Sequence, residues 1–290
     1  MSAAIVASAL APLYCSPDHR AELASEAPLG HLLDVLDERG AFVRVRAEDE
    51  YVAWVHRGHL FDGGEPVAAA WREEAQAICL GAALSLGGRE RLLLPFGARL
   101  VLEQDGSVRL PDGRVAQVAS GRVAPEPVLA EEARVLSPAL WAEVFFAGAP
   151  YRWGGVTTWG VDCSGLVQAV FRARGVRLPR EAARQAEAGE AVPADSALDA
   201  FVAGDVLCFR EGSEAEGRRR LIGGGEGVRI THVAIADGAG YVVHASAGAG
   251  AVCRSPLAGG SAEAAWLRDA FAGARRVERP PAAGPAGRTG

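Results

Sequence analysis

A chain of 290 residues, of which 49% are apolar and 23% charged, is long enough for about two domains and apolar enough to bury substantial cores. Its net charge of −6 argues against nucleic acid as a partner, because that binding depends on neutralising phosphates. No stretch of the sequence approaches the roughly 18 consecutive apolar residues of a membrane span, so a membrane is not an expected partner either.

The five cysteines are odd in number and widely scattered, a pattern that indicates neither a disulfide framework nor a zinc site. Residues 1–14 are fairly apolar but lack the basic start of a secretory signal peptide. We therefore expect a cytoplasmic monomer that uses no cofactor and no metal, with export left open.

Residues 1–62 contain short strand patterns separated by turns. The predicted strands lie at residues 9–14, 31–36, 41–46 and 51–55. The third of them alternates apolar and charged side chains, as a half-exposed strand does. About sixty residues of short strands are typical of a small barrel.

A second unit, residues 63–128, is less regular than the first. Strands are predicted at residues 92–97, 99–102 and 114–118, and residues 71–80 have a helical pattern. Residues 125–127, Pro-Glu-Pro, are predicted to be the linker to the last unit.

Residues 129–279 mix helices and strands. A helix is predicted at residues 137–147, with Ser137 as its cap and Pro138 in its first turn. The other predicted elements are a helix after Cys163, a short helix near residues 181–188, and strands at 206–209, 231–236 and 241–246. Residues 210–227 are predicted to be a mobile surface loop and residues 280–290 a disordered tail.

Cys163 opens the most informative stretch of the chain. Asp162 can cap a helix whose apolar stripe consists of Leu166, Val167, Val170 and Phe171. Cys163 would then lie in the first turn, where the helix dipole favours an anion and hence the nucleophilic thiolate. The alternative is a small buried core residue, which is the commonest role of a cysteine outside a disulfide.

His232 and His244 flank a predicted hairpin turn at residues 237–240. Because they are twelve residues apart, an antiparallel pair with an odd loop places both side chains on one face. A cysteine with two such histidines suits nucleophilic catalysis, with His232 as base and His244 as the group that orients it. Each histidine alone is more often a hydrogen-bonded polar residue on a strand.

Six ordered motifs resemble the NlpC/P60 cysteine peptidases over about residues 129–274. They are Tyr-Arg-Trp-Gly-Gly at 151–155, Asp-Cys-Ser-Gly-Leu-Val-Gln at 162–168, Leu-Pro-Arg at 178–180, Gly-Asp at 204–205, and the segments that begin at His232 and His244. The resemblance implies a papain-like α+β fold and a catalytic triad of Cys163, His232 and His244.

The amino-terminal half is similar to the SH3-like domains of the γ-D-glutamyl-L-diamino-acid endopeptidases within that family. The resemblance implies an α+β protein in which two small SH3-like β-barrels, the second divergent, precede the papain-like catalytic domain. It also implies a freed murein peptide as substrate, L-Ala-γ-D-Glu-diamino acid, with a free amino terminus because the first barrel closes one end of the cleft.

Seven further residues receive substrate-binding roles from the resemblance. Tyr151 and Trp153 would line the site, Asp162 and Ser164 would contact the substrate, Arg180 would face the D-Glu carboxylate, and Glu22 and Tyr51 would hold the substrate amine. The sequence departs from the family pattern at Glu181, where aspartate is expected, and in the long loop at residues 210–227.

We therefore predict a cysteine endopeptidase that hydrolyses the γ-D-glutamyl-L-diamino acid bond of murein peptides. One alternative is an endopeptidase or amidase that acts on intact peptidoglycan. Another is a non-catalytic module that binds wall peptides, since SH3-like domains often bind peptides.

Overall fold

The computed structural model describes residues 3–193, 201–210 and 229–278. All but the first residue of the predicted mobile loop at 210–227, and the whole predicted tail at 280–290, lie outside the described residues. Within the described ranges, no helix is long and apolar enough to cross a membrane.

The first unit is a seven-stranded antiparallel sheet in the order β3-β2-β6-β5-β4-β1-β7. Its strands are β1 Ala3–Val6, β2 Leu10–Tyr14, β3 Leu23–Pro28, β4 Leu32–Arg39, β5 Phe42–Arg46, β6 Val52–His56 and β7 Leu60–Phe61. Side chains such as Leu13, Val45 and Val55 are buried between the strands and form the core of this unit. We call it the first barrel.

A helix, α1 Gly64–Glu74, leads into a closed barrel of four strands. These strands are β8 Ala77–Ser85, β9 Arg91–Leu102, β10 Val108–Arg109 and β11 Val115–Pro125. The helix predicted at residues 71–80 is therefore placed too late, since the chain is already a strand from Ala77. Helix α1 is held at its end by Trp71, which is buried and donates from Nε1 to the Gly30 carbonyl at 2.8 Å.

The third unit begins without a linker. The predicted linker at residues 125–127 is wrong, because Pro125 ends β11 and caps the helix α2 Glu126–Val135, with Pro127 in its first turn. The next helix is α3 Pro138–Phe146, and Ser137 caps it by accepting from the Leu140 amide at 3.2 Å. That cap and helix confirm the sequence prediction.

The remaining elements build a six-stranded sheet with helices packed on it. They are β12 Val156–Thr157, β13 Gly160–Val161, α4 Cys163–Ala173, α5 Ala182–Gln185, β14 Glu190–Val192, β15 Val206–Arg210, β16 Ile230–Ala236, β17 Tyr241–Ser246, β18 Ala251–Pro256, α6 Ala262–Ala270 and β19 Phe271–Arg276. The antiparallel order is β14-β19-β15-β16-β17-β18. Strands β12 and β13 pair separately from it.

Helix α4 packs across β16 and β17, and this contact forms the core of the third unit. Leu166, Val170 and Phe171 from the helix are fully buried in one cluster with Val233 and Val243 from the strands. Burial of each such side chain contributes about 1.5–3 kcal/mol. The first residue of α4 is thereby fixed over the two strands that carry His232 and His244.

Candidate active site

Cys163 is the first residue of α4, and Asp162 caps the helix as predicted. The Asp162 Oδ1 accepts from the Gly165 amide at 2.7 Å. A side chain at Gly165 would place its Cβ 2.2 Å from the Gly155 carbonyl oxygen, so the helix start lies directly against that loop. The buried Cys163 sulfur lies 4.0 Å from the Thr231 carbonyl oxygen, immediately before His232 in β16.

Burial of Cys163 disfavours its thiolate form. Burial, and then the negative charge of Asp162, raise its pKa to about 12. This direction is opposite to the prediction from the helix start, because desolvation of the sulfur outweighs the helix dipole. The nucleophile must therefore be formed by transfer of the thiol proton to a base during the reaction.

His232 and His244 lie on one face of the hairpin, as the sequence predicted. The pairs Ile235↔Val243 and Ala236↔Val242 set the register, and continuing it places Ala234 opposite His244, so His232 is on the diagonal. The His232 Nε2 lies 2.8 Å from the His244 Nδ1. Since Nε2 is engaged there, Nδ1 of His232 is the nitrogen that remains to accept the Cys163 proton.

His244 is buried and His232 is half-buried, and both imidazoles are neutral because their pKa values are lowered. Burial, and then the neighbouring His244, lower the pKa of His232 well below its ordinary value. Burial also lowers the pKa of His244, although the Glu263 carboxylate opposes that shift. A neutral His232 has the lone pair that a general base needs.

Behind His244, two further groups contact the ring. Its Nε2 lies 3.1 Å from the buried Ser255 hydroxyl and 3.4 Å from Glu263 Oε1. With its proton on Nε2, His244 donates to these oxygens and its Nδ1 accepts from His232. This tautomer leaves His232 Nδ1 unprotonated, as the chemistry requires.

Arg180 does not have the role that the resemblance implied. Its guanidinium is 4% exposed. It donates two parallel hydrogen bonds to Asp162, from Nη2 to Oδ2 at 2.6 Å and from Nη1 to Oδ1 at 3.0 Å. Its other donors reach Ser164 Oγ at 2.8 Å, Ser25 Oγ at 3.0 Å and, more distantly, the Gly155 carbonyl at 3.5 Å. Five N–H groups thus face protein acceptors, which leaves none for a substrate carboxylate.

The other substrate-binding predictions fall in three places. Asp162 and Ser164 turn their side chains into the Arg180 network, so their contact with substrate stays a prediction. Tyr151 is half-buried and packs against the core around α4, and Trp153 is half-buried in the loop that follows. Glu22 and Tyr51 lie half-buried in the first barrel, just before β3 and β6.

Tyr51 faces the third unit. Burial raises its pKa to about 12, and the negative charge of Glu181 acts in the same direction. Its amide donates to Asp49 Oδ1 at 3.1 Å, while Asp49 Oδ2 accepts from Gln168 on helix α4 at 2.8 Å. The turn that carries Tyr51 is thus bonded directly to the helix that carries Cys163.

Three first-barrel residues that the sequence did not single out connect β3 to the site. Ser25 accepts from Arg180, and the buried Glu26 pairs with Arg152 at 3.0 Å and accepts from the Val156 amide at 3.3 Å. A side chain at Gly154 would meet Leu23 at 2.8 Å. The only sequence signal for these contacts is the Ser-Glu pair inside an otherwise apolar strand.

The sequence profile of the NlpC/P60 family matches residues 148–270, which contain Cys163, His232 and His244. This chain carries an NlpC/P60 domain. A second profile, for the bacterial dipeptidyl-peptidase Sh3 domain, matches residues 13–60 in the first barrel.

Two curated relatives match the region of the NlpC/P60 domain. The Bacillus subtilis (strain 168) gamma-D-glutamyl-L-lysine dipeptidyl-peptidase is 40% identical over 102 residues, which are 34% of this chain and 28% of that protein. The Escherichia coli (strain K12) probable endopeptidase NlpC is 39% identical over 111 residues, 38% of this chain and 60% of that protein. The match therefore spans less than two thirds of either relative.

A solved structure shares the whole architecture. The crystal structure of an NlpC/P60 family protein from Bacillus cereus ATCC 10987 has a TM-score of 0.74, with 20% identity, over 95% of this chain and 99% of that one. At that identity the likeness shows the fold alone. The NlpC/P60 domain of this protein thus has the predicted α+β fold, preceded by barrels.

Proposed function

We propose that this protein is a cysteine endopeptidase that cleaves murein peptides between γ-D-glutamate and the following diamino acid. The observation that carries the proposal is the convergence of the Cys163 helix with the hydrogen-bonded pair His232 and His244. The name of the Bacillus subtilis relative, a gamma-D-glutamyl-L-lysine dipeptidyl-peptidase, supports the choice of bond.

The reaction begins with transfer of the Cys163 thiol proton to Nδ1 of His232. The thiolate then attacks the γ-carbonyl carbon of D-glutamate, and a tetrahedral oxyanion forms. The imidazolium of His232 keeps its hydrogen bond to His244 Nδ1, which holds the ring in place. Collapse of the oxyanion breaks the C–N bond, and the leaving amine takes the proton from His232.

A thioester of Cys163 with the glutamyl γ-carboxyl remains after the first step. Water enters, gives its proton to His232 Nδ1 and attacks the thioester carbon. The thiolate leaves and recovers the proton from His232, which restores the resting enzyme. The γ-carboxylic acid is released and loses its own proton to solvent. The high pKa of the resting thiol favours return to the neutral Cys163–His232 pair after each cycle.

The first barrel supports a requirement for a free amino terminus. Burial is the largest cause of the raised pKa of Tyr51, and the carboxylates of Glu181 and Asp49 raise it further, while Arg180 lowers it. Negative charge at that end of the site suits an ammonium group. The glutamate at position 181, where the family has aspartate, supplies the first of these charges.

Replacing Cys163 with alanine tests the chemistry. We expect the Cys163→Ala protein to fold and to lose hydrolysis of L-Ala-γ-D-Glu-diaminopimelate, measured by release of the diamino acid. The Cys79→Ala protein is the matched control, because Cys79 is a buried cysteine of the second barrel. Hydrolysis that survives in Cys163→Ala would refute a cysteine mechanism, whereas no hydrolysis by the wild-type protein would favour a non-catalytic binding protein.

The rival substrate is intact peptidoglycan. The name of the Escherichia coli relative, a probable endopeptidase, does not distinguish between the two substrates. Comparison of the free-amine tripeptide with its N-acetylated form separates the two substrates. We expect acetylation to lower kcat/KM at least about tenfold, because it removes the ammonium group that Glu22 and Tyr51 would hold. Equal rates on both peptides, together with release from purified cell wall, would favour the rival.

A further inference from the structure

A cluster of three metal-ligand side chains lies behind His244, on the side away from His232. Its members are His244 from β17, Cys253 from β18 and Glu263 from the first turn of α6. One ligand atom from each lies within 4.8 Å of the other two. Among the residues that the structure describes, these three form the only such group of histidine, cysteine and carboxylate side chains.

The register of the sheet brings the first two ligands together. His244 and Cys253 are direct cross-strand partners in the antiparallel pair β17–β18, so their side chains point to the same face. Glu263 is placed against that face because Ser261 caps α6 by accepting from the Ala264 amide at 3.1 Å. Three separate elements therefore converge on one point.

The distances fit a tetrahedral zinc ion. Ligands at about 2.0–2.2 Å from zinc, one nitrogen and one oxygen, are about 3.4 Å apart when they subtend the tetrahedral angle. The His244 Nε2 and Glu263 Oε1 are 3.4 Å apart. The Cys253 sulfur lies within 4.8 Å of the other two ligand atoms, and a zinc–sulfur distance of about 2.3 Å would bring it to about 3.6 Å from each of them.

Imidazole, thiolate and carboxylate are the donor set that Zn²⁺ prefers. The site can be reached from solvent, since Cys253 is half-buried and the Glu263 side chain is 38% exposed. Zinc would enter with one or more waters, and Cys253 would release its thiol proton to solvent. No oxidation state changes in this step.

We propose that His244, Cys253 and Glu263 form an inhibitory zinc site that controls the proton position in the catalytic pair. Zinc on Nε2 of His244 requires the proton of that neutral ring to be on Nδ1. The Nδ1–H then donates to Nε2 of His232 across the 2.8 Å contact. His232 must carry its own proton on Nδ1, so it cannot accept the proton of Cys163.

The inhibition arm of the test rests on the proposed peptidase activity. We expect Zn²⁺ to inhibit wild-type hydrolysis of the free-amine tripeptide, and Cys253→Ser to retain basal activity but need at least about tenfold more Zn²⁺ for half-inhibition. Cys15→Ser, which changes an exposed cysteine of the first barrel, should keep the wild-type response. Equal zinc sensitivity of Cys253→Ser and wild type would overturn the proposal.

A binding measurement distinguishes failure of this proposal from failure of the proposed function. Cobalt(II) added to the full-length Cys163→Ala protein should give thiolate-to-cobalt charge-transfer absorption in the near ultraviolet, whether or not the protein is a peptidase. The absorption should be lost in Cys163→Ala/Cys253→Ser and weakened in Cys163→Ala/Glu263→Gln, with circular dichroism as the folding control. No absorption in Cys163→Ala, or its persistence in the double cysteine variant, would refute the site.

Discussion

Arg180 holds Asp162 with a two-pronged hydrogen bond, 2.6 Å to one carboxylate oxygen and 3.0 Å to the other, and both side chains are almost completely buried. Asp162 caps the helix that starts with Cys163. The position of the nucleophile therefore depends on a guanidinium that comes from a loop seventeen residues further along the chain.

Arg180→Lys should destabilise the protein and lower kcat. Lysine keeps the charge but cannot form the fork, so we expect a loss of about 2–4 kcal/mol, below the full cost of removing one partner of a buried pair. Urea unfolding and steady-state kinetics measure both effects. Arg254→Lys is the control, because Arg254 pairs with Asp237 at the surface, and should cost less than about 1 kcal/mol. A rise in KM alone would instead favour substrate contact by Arg180.

His244→Asn and His244→Gln should separate the two nitrogens of His244. The asparagine Oδ1 occupies the place of Nδ1, which faces His232, whereas the longer glutamine places its amide near Nε2. We expect kcat to fall about tenfold in the asparagine variant and roughly 10²- to 10³-fold in the glutamine variant. The opposite order would mean that the contacts behind the ring matter more than the contact with His232.

Gly165→Ala should be poorly tolerated, although alanine is normally better in a helix than glycine. The added Cβ would lie 2.2 Å from the Gly155 carbonyl oxygen, a backbone atom that cannot move alone. We expect a loss of about 1–3 kcal/mol and reduced activity, from thermal unfolding and kinetics. Gly260→Ala, where the Cβ meets open space, is the control. A stable and fully active Gly165→Ala protein would show that the start of α4 and the Gly155 loop can move apart.

Tyr51→Phe tests the first barrel's part in substrate binding. Loss of one hydroxyl in a half-buried site should raise KM for the free-amine tripeptide by about three- to tenfold and leave kcat almost unchanged. The N-acetylated peptide provides the internal control, since its KM should not change. An equal KM effect on both peptides would argue that Tyr51 supports the fold and does not bind the amine.

Stability should fall below about pH 6.5 in part because of His31. This ring is buried where the barrels meet α4, and Nε2 donates to the Gly97 carbonyl at 2.9 Å. Burial, and then the charge of Arg172, lower the pKa of His31, so the unfolded chain binds the proton more readily. The stabilisation is complete above pH 6.5 and is lost as pH falls, by up to about 1.4 kcal/mol per pH unit.

Urea unfolding between pH 5 and 7 measures this slope. His232 and His244, whose pKa values are also lowered, add to it in the same direction, so the comparison with His31→Gln isolates one proton. Glutamine places its amide nitrogen where Nε2 was and keeps the bond to Gly97. Identical slopes for both proteins would show that His31 does not titrate with folding.

The parts of the fold that depend on neighbouring residues were predicted from the sequence. Asp162 as a cap and the hairpin between β16 and β17 follow from local preferences of aspartate and glycine, and the structure confirms both. The even spacing of His232 and His244 places them on one face if the loop has an odd number of residues, and the register of β16 and β17 meets that condition. These elements carry their own signals within about a dozen residues.

Other features depend on partners far along the chain. The five acceptors of Arg180 and the raised pKa of Cys163 arise from burial against residues up to 155 positions away, which no local pattern contains. Strand β8 was missed because Ala77–Ser85 gains its pairing from both β9 and β11. Cys253 and Glu263 meet His244 only once β18 and α6 are in place, and neither element was predicted.

The Ser25–Arg180 hydrogen bond joins two parts of the chain that are far apart in the sequence. Ser25 is synthesised 155 residues before its partner Arg180. A preformed barrel can thus serve as the template on which the helix cap and the nucleophile settle. The Arg180 network around the helix cap is then complete only once the first barrel and the NlpC/P60 domain have packed together.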